Sequence, residues 1–329
     1  MKSKVVFRVD GSAKIGLGHL IRCIALADII RNYFEINFYC KEIPNSIKQE
    51  LTKKNILLFQ ISNEEDFIEI IKLNWIIVLD GYKFNQIYKS KVKRKGCKLI
   101  SICDFVEEDI FSDIIINHNP IFNVIKYPYK INKNQILAIG SGYSLLRKPF
   151  IQQSYINKKK SLDNSLMICL GGSDKQDITL DSLRKIVKIN SLKKISVVLG
   201  SEYKKSEEFN KIVKSDKRIF LYNNILEELL VKIILESKIA IVSASTILLE
   251  VISCGTIPII CYYVNNQKLF HDFMVSNYNL CSFSEKGIFD FNKLEQIILN
   301  NLYEKIDITP LQQIISKSEN NLISLFNHL

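Results

Sequence analysis

Short apolar runs recur along the whole chain with little polar alternation inside them. The first half carries "VVFRV" (5–9), "INFYC" (36–40), "ILLFQI" (56–61), "WIIVLD" (75–80), "KLISICD" (98–104), "DIIINH" (113–118) and "QILAIGS" (135–141). The second half repeats the grammar with "SLMICLG" (165–171), "KISVVLG" (194–200), "RIFLY" (218–222), "IAIVSA" (239–244) and "IPIICYY" (257–263). A strand that is apolar on both faces has to be covered on both, which is the condition of a parallel sheet between helices. Longer periodic stretches separate most of the runs, as βα units require. The rhythm breaks at "RKPFIQQSYINKKKSLDNS", which is polar and holds a proline and a lysine run. The pattern therefore predicts an α/β chain of two Rossmann-like domains facing a cleft, 1–148 and 165–329, joined by a linker at 149–164. A last helix near 309–327 is expected to pack back on the first domain.

Length and composition agree, because 329 residues can bury two cores and 47% hydrophobic with 24% charged residues describes a folded globule. The net charge of +11 raises nucleic-acid binding. However, "KVKRKGCK" (91–98) and "NKKKS" (157–161) lack interleaved aromatics and read as solvated faces, so no nucleic-acid partner is expected. A basic balance also suits a small anionic substrate such as a nucleotide diphosphate. The eight cysteines form no CxxC pair and sit in apolar runs, which points to buried reduced thiols and a cytoplasmic protein. Residues 239–264 are apolar enough to raise a membrane span, but Glu250, Gly255 and Pro258 parse better as strand–helix–strand. Arg8 and Asp10 interrupt the first apolar run, against a signal peptide. A monomer without membrane insertion is the expectation.

In open α/β sheets ligands bind at the carboxyl ends of the strands. Behind the first strand stands "IGLGHLIRC" (15–23), which fails as a dinucleotide fingerprint because Ile21 replaces the third glycine. It also fails as a P-loop, since Leu17 and Gly18 replace the lysine and hydroxyl residue. What it delivers is His19 at the start of a helix, where the dipole favours the neutral ring. Such a histidine can serve as a general base for water, or merely cap the helix. His118, at a strand end, and His271, expected on a helix surface, read as structural. "LGGSD" sets Gly171, Gly172 and Ser173 in a turn that exposes N–H groups to an anion, or in an ordinary βα turn. "SASTILLE" places Ser245 or Thr246 at a helix start, where a capping hydroxyl and free N–H groups bind phosphate. Glu250 follows one turn later, with a ribose diol or a structural Arg or Lys as its partner. No His, Asp or Glu cluster has metal-ligand spacing, and no GxSxG is present.

These residues have a family resemblance. "FRVDGSAKIGLGHLIRCIALA" (7–27) carries Arg8, Asp10, Ser12, Gly16, Gly18, His19, Arg22, Cys23, Leu26 and Ala27 in the spacing that opens the UDP-2,4-diacetamido-2,4,6-trideoxy-β-L-altropyranose hydrolases of pseudaminic acid biosynthesis. The similarity continues through "DIIINHNP", "GSGYSLLRKPF", "ICLGGSD", "VSASTILLE" and "CYYVNNQ". It implies a GT-B-like fold resembling the lipid II-forming GlcNAc transferase, and removal of UDP from its sugar by water without metal or cofactor. By the same resemblance His19, Tyr82 and Asn266 are catalytic. Asp10, Ser12, Gly16, Gly18, Arg22 and Gln267 contact substrate. UDP lies on the second domain, its diphosphate at Gly171, Gly172, Ser173, Ser245 and Thr246, its ribose at Glu250 and its uracil near the backbone of Ile225. Two departures bear on the sugar: Asp104-Phe105 stands where the family often has Asp-Asp, and Asp80-Gly81-Tyr82 where it often has Asp-His-Tyr. A GT-B glycosyltransferase that activates an acceptor hydroxyl, and a non-catalytic nucleotide-sugar binder, are the alternatives.

Overall fold

The computed structural model describes residues 2–12, 14–105, 109–124, 126, 134–156, 164–172, 174–285, 287–302 and 306–329. The chain separates into two compact units, Met1–Lys148 with Lys317–Leu329, and Pro149–Ser316. In the first unit the strands are β1 (Lys4–Val9), β2 (Glu35–Cys40), β3 (Leu57–Gln60), β4 (Trp75–Asp80), β5 (Lys98–Ile102), β6 (Ile114–Asn117) and β7 (Ile136–Ile139). Helices α1 (Gly18–Ile30), α2 (Asn45–Lys53), α3 (Glu64–Ile70) and α4 (Gln86–Lys93) alternate with the first five. The sheet runs β3-β2-β1-β4-β5-β6-β7, parallel throughout. β1, β4 and β6 are buried along almost their whole length, as their apolar runs require, whereas the edge strand β3 leaves Leu57 and Phe59 exposed.

Several strands are a residue or two shorter than their apolar runs, and polar side chains near their ends tie neighbouring segments together. The Asp113 carboxylate accepts from Leu99 N–H at 2.7 Å, and Gln135 Nε2 donates to the Asp109 and Ser112 carbonyls at 2.6 and 2.7 Å. Within the stretch expected as a linker, Lys148–Ser154 forms α5, while 157–163 lie outside the described residues.

The second unit holds β8 (Ser165–Cys169), β9 (Lys194–Leu199), β10 (Ile219–Asn223), β11 (Ile239–Ser243), β12 (Ile257–Cys261) and β13 (Cys281–Ser282) in the order β10-β9-β8-β11-β12-β13, again parallel. Its helices are α6 (Ile178–Ile186), α7 (Glu207–Ser215), α8 (Glu227–Glu236), α9 (Thr246–Ser253), α10 (Asn265–Tyr278), α11 (Phe291–Asn301) and α12 (Thr309–Ile315), with a short hairpin of β14 (Ser284–Glu285) and β15 (Ile288–Phe289). The C-terminal stretch expected as one helix is two, since α13 (Ser318–Asn327) starts anew and belongs to the first unit, where Phe326 meets Phe34 edge-on at 5.8 Å. Among the described residues no helix is long and apolar enough to cross a membrane, and the apolar stretch 239–264 folds as β11, α9 and β12.

Both sheets change winding direction beside their first strand. In the first unit that switch lies between β1 and β4, and in the second between β8 and β11. There the flanking connections diverge and leave a crevice at the carboxyl ends, the usual ligand position of such sheets.

Candidate active site

At the switch point of the first unit, β1 runs into a tight loop in which Gly16 N–H donates to the Ser12 carbonyl at 2.7 Å. Gly16 has φ +91°, a conformation a side chain resists, and a Cβ there or at Gly18 would point into open space. The loop feeds α1, whose first residue is Gly18 and whose second is His19, and no side chain caps this helix start. Val9 of β1 pairs with Asp80, the last residue of β4. The strand register therefore brings Asp80 beside the start of α1, which begins nine residues after Val9.

His19 Nδ1 lies 2.7 Å from Asp80 Oδ1. A carboxylate only accepts, so Nδ1 carries the ring proton and Nε2 keeps its lone pair. Arg22 Nη2 is 3.0 Å from the same Nδ1, but in this tautomer both nitrogens are donors and the contact is proximity alone. Nε2 has no hydrogen-bond partner among the described residues. The ring is 7% exposed and lines a pocket of about 200 Å³ together with Arg22, Asp80, Tyr82, Asp104 and Phe105.

Asp80 is fully buried and is held by Arg22 through Nε at 2.6 Å and Nη2 at 2.5 Å, with Cys23 Sγ at 3.4 Å. Burial would raise its pKa, yet the Arg22 charge and the hydrogen bonds from Arg22 and His19 hold it well below the usual carboxylate range. Arg22 also donates to Asp104, whose second oxygen accepts from the Tyr82 hydroxyl at 2.6 Å. Burial opposes the guanidinium charge, but Asp104 and Asp80 keep Arg22 protonated far above any working pH. The Tyr82 ring stands edge-on to His19, with centroids 4.9 Å apart. His118 is held neutral, its pKa lowered to about 4 by burial and the nearby Arg22, and its Nδ1 accepts from Leu145 N–H at 3.2 Å.

Asp10 is committed elsewhere. Arg8, fully buried inside β1, pairs with both Asp10 oxygens at 2.8 Å and with Glu64 through Nε at 3.0 Å and Nη2 at 2.6 Å. Lys83 reaches both acids, and Asp10 also accepts from the N–H groups of Lys41 and Glu42 at 2.6 and 3.1 Å. These partners hold Asp10 well below the ordinary carboxylate range despite its burial. It thus ties the β1 loop to the β2 and β4 loops. Ser12 accepts from Ile15 N–H at 3.3 Å within the same loop.

In the second unit, Gly171 and Gly172 follow β8, and Thr246 begins α9 beyond β11. Gly200 packs so closely on Gly172 that a Cβ would stand 2.4 Å from its backbone. Ser245 occupies the cap position of α9, but its Oγ meets Ser243 Oγ at 3.0 Å and makes no bond to the helix N–H groups, contrary to the capping expectation. Tyr263 follows β12, donates its hydroxyl to the Leu170 carbonyl at 2.8 Å and stands beside Gly171. Gln267 is buried and accepts from Tyr263 N–H at 3.1 Å, and Asn266 is half-buried in the first turn of α10. Glu250 is buried one turn into α9. Ile225, between β10 and α8, uses neither its N–H nor its carbonyl in a hydrogen bond among the described residues. Ser173 lies outside the described residues. His271 is not on a helix surface as expected. It is buried, 2.7 Å from Ser282 Oγ and 2.9 Å from Asp272 Oδ1.

Sequence reasoning missed Asp80 as the partner of His19 and Arg22 as the bridge between two carboxylates. The available signal was an acid closing the apolar run "WIIVLD", since a carboxylate buried at a strand end needs a cationic or hydrogen-bonding partner.

No protein-family model matches the chain. It is 27% identical over 271 residues to the UDP-2,4-diacetamido-2,4,6-trideoxy-β-L-altropyranose hydrolase of Campylobacter jejuni, covering 80% of this chain and 94% of that protein. It is 24% identical to an uncharacterized protein of Methanocaldococcus jannaschii, covering 82% of this chain and 58% of that one. Among solved structures it is similar to Arabidopsis thaliana UGT89C1 complexed with UDP, at TM-score 0.69, 11% identity and 99% coverage of both chains. Acinetobacter baumannii MurG follows at TM-score 0.60 and 11% identity, with 99% and 100% covered. The architecture is GT-B-like, two Rossmann-like units with parallel sheets.

Proposed function

We propose that the chain is a UDP-sugar hydrolase, acting on a UDP-2,4-diacetamido-2,4,6-trideoxyhexose in pseudaminic (nonulosonic) acid biosynthesis. His19 takes a proton from water, which attacks the anomeric carbon and releases UDP. The observation that carries this reading is the His19–Asp80 contact at 2.7 Å, which leaves Nε2 as the free base in a pocket at the switch point. Asp80 positions the ring and stabilises the imidazolium as it forms, the role a buried aspartate has beside other catalytic histidines. One base suffices because the leaving diphosphate departs as an already stabilised anion, whereas a glycosidase needs a second carboxyl group as acid.

In this reading the second unit holds the nucleotide. The diphosphate takes Gly171, Gly172, Ser173 and the start of α9 at Ser245 and Thr246. The ribose takes Glu250, and the uracil the unused backbone groups of Ile225. Tyr82 and Asn266 complete the catalytic set, with Gln267 holding the α10 turn. The enzyme works without metal or cofactor, since Arg22, Arg8 and Lys83 already neutralise Asp80, Asp104 and Asp10. It acts as a cytoplasmic monomer, with eight free cysteines in keeping with a reducing compartment.

The test offers this UDP-sugar with no acceptor and follows UDP and free sugar. Prompt release by the wild type, lost in His19→Asn with UDP affinity kept, is the expected result. Equal release by His19→Asn removes the base assignment. A second reading has support in the fold, because a UDP-glucosyltransferase of Polygonum tinctorium and UDP-bound Arabidopsis thaliana UGT89C1 share it. There His19 would deprotonate an acceptor hydroxyl, and UDP would appear only when an acceptor is added.

A further inference from the structure

Two large aromatic side chains stand exposed at the mouth of the His19 pocket, Tyr82 at 57% and Phe105 at 45%. Their ring centroids are 5.4 Å apart, and Tyr82 in turn lies edge-on to His19. An unbroken row of rings thus runs from the base to the lip of the pocket. Asp104 accepts from the Tyr82 hydroxyl of this row, and each of its oxygens is already engaged, one by Arg22 and the other by Tyr82. Among the described residues, a substrate meeting this wall finds ring surface, with both Asp104 oxygens already engaged. A sugar hydroxyl placed there gives up water without a replacement, whereas a methyl group gains burial.

We infer that Phe105, with the ring of Tyr82, is the specificity wall of the sugar pocket. It selects UDP-sugars that present a methyl group, a 6-deoxy carbon or the methyl of an N-acetyl group, over those that present a hydroxyl or nothing. The inference rests on the UDP-sugar reading above and assigns the residue that sets its substrate class.

The experiment uses the full chain and three UDP-sugars of one configuration: the 2,4-diacetamido-2,4,6-trideoxy-β-L-altropyranose, its 6-hydroxy counterpart, and its counterpart with formamido in place of acetamido groups. The wild type is expected to favour the first by about tenfold in kcat/KM over at least one of the others, the size of effect one methyl has in an apolar pocket. Which counterpart suffers identifies the methyl. Phe105→Asp should bring that ratio close to one, and Phe105→Leu should keep most of it. A wild-type ratio near one for both counterparts, or an unchanged ratio in Phe105→Asp, overturns the inference. If no sugar is hydrolysed, the hydrolase reading fails by itself. Calorimetric dissociation constants then carry the same ratios, and their presence or absence in Phe105→Asp decides the wall independently.

Discussion

Replacing Asp80 by asparagine keeps the shape of the site and removes the feature that, in the proposed reaction, makes His19 a base. The amide oxygen can still accept from Arg22 Nε, now 2.6 Å from Oδ2. The amide nitrogen then faces His19 Nδ1, where Oδ1 now stands at 2.7 Å. A donor at that position forces Nδ1 to accept, and the ring proton moves to Nε2. Loss of a general base costs about 10²- to 10⁴-fold in rate, and a wrong tautomer belongs at the upper end of that span. Stability should fall less, by about 1–3 kcal/mol, because Arg22 keeps Asp104 and is not left as an orphan charge. For a domain of this size that is a melting shift of roughly 2–12 °C. The assay is acceptor-free UDP release by Asp80→Asn at saturating UDP-sugar, with a melting curve and ¹⁵N spectra of the His19 ring. The expected result is a kcat reduced at least 100-fold, a KM changed by less than about threefold because the proposed nucleotide contacts lie in the other unit, and a proton on Nε2. A folded variant that keeps kcat within tenfold of the wild type refutes the reasoning, as does a ring proton that stays on Nδ1.

Arg22→Lys removes the fork that holds Asp80 and Asp104 together. A single ammonium cannot replace three nitrogens, so we expect about 3 kcal/mol of destabilisation and a melting point lower by roughly 6–12 °C; an unchanged melting point contradicts the bridging role. Glu250→Ala should weaken UDP binding about tenfold, or ~1.4 kcal/mol, in a calorimetric titration, and unaltered affinity removes the ribose assignment. Asp10 and Asp80 titrate below the usual range in the folded state, whereas the unfolded carboxyls take up protons near pH ~4. Their stabilisation is complete above that value and is lost as pH falls from about 4 toward their folded pKa values. Urea midpoints should drop over that interval and drop less in Asp10→Asn; identical slopes in the two proteins would sink the linkage.

The sheets were legible because unbroken apolar runs have few alternatives. "VVFRV" and "IAIVSA" read as buried strands, and they are the strands flanking the two switch points. The place of His19 at the start of α1 was legible because glycines before an apolar run mark where a helix begins. Long-range pairing was not legible. Asp80 is 61 residues from His19 and Glu64 is 56 from Arg8, and only strand order and register bring them together. Arg8 shows the same limit, since a buried guanidinium inside an apolar strand looks like an interruption until its two carboxylates are in place. His271 was assigned to a surface because helical spacing alone does not reveal that β13 covers it through Ser282.

In the proposed reaction water adds to the sugar and not to the phosphate. Hydrolysis of the UDP-sugar in H₂¹⁸O, followed by mass spectrometry of both products, tests this directly. Label at the anomeric carbon of the free sugar, with UDP unlabelled and the rate abolished in His19→Asn, is the predicted result. Label in the β-phosphate of UDP would contradict it.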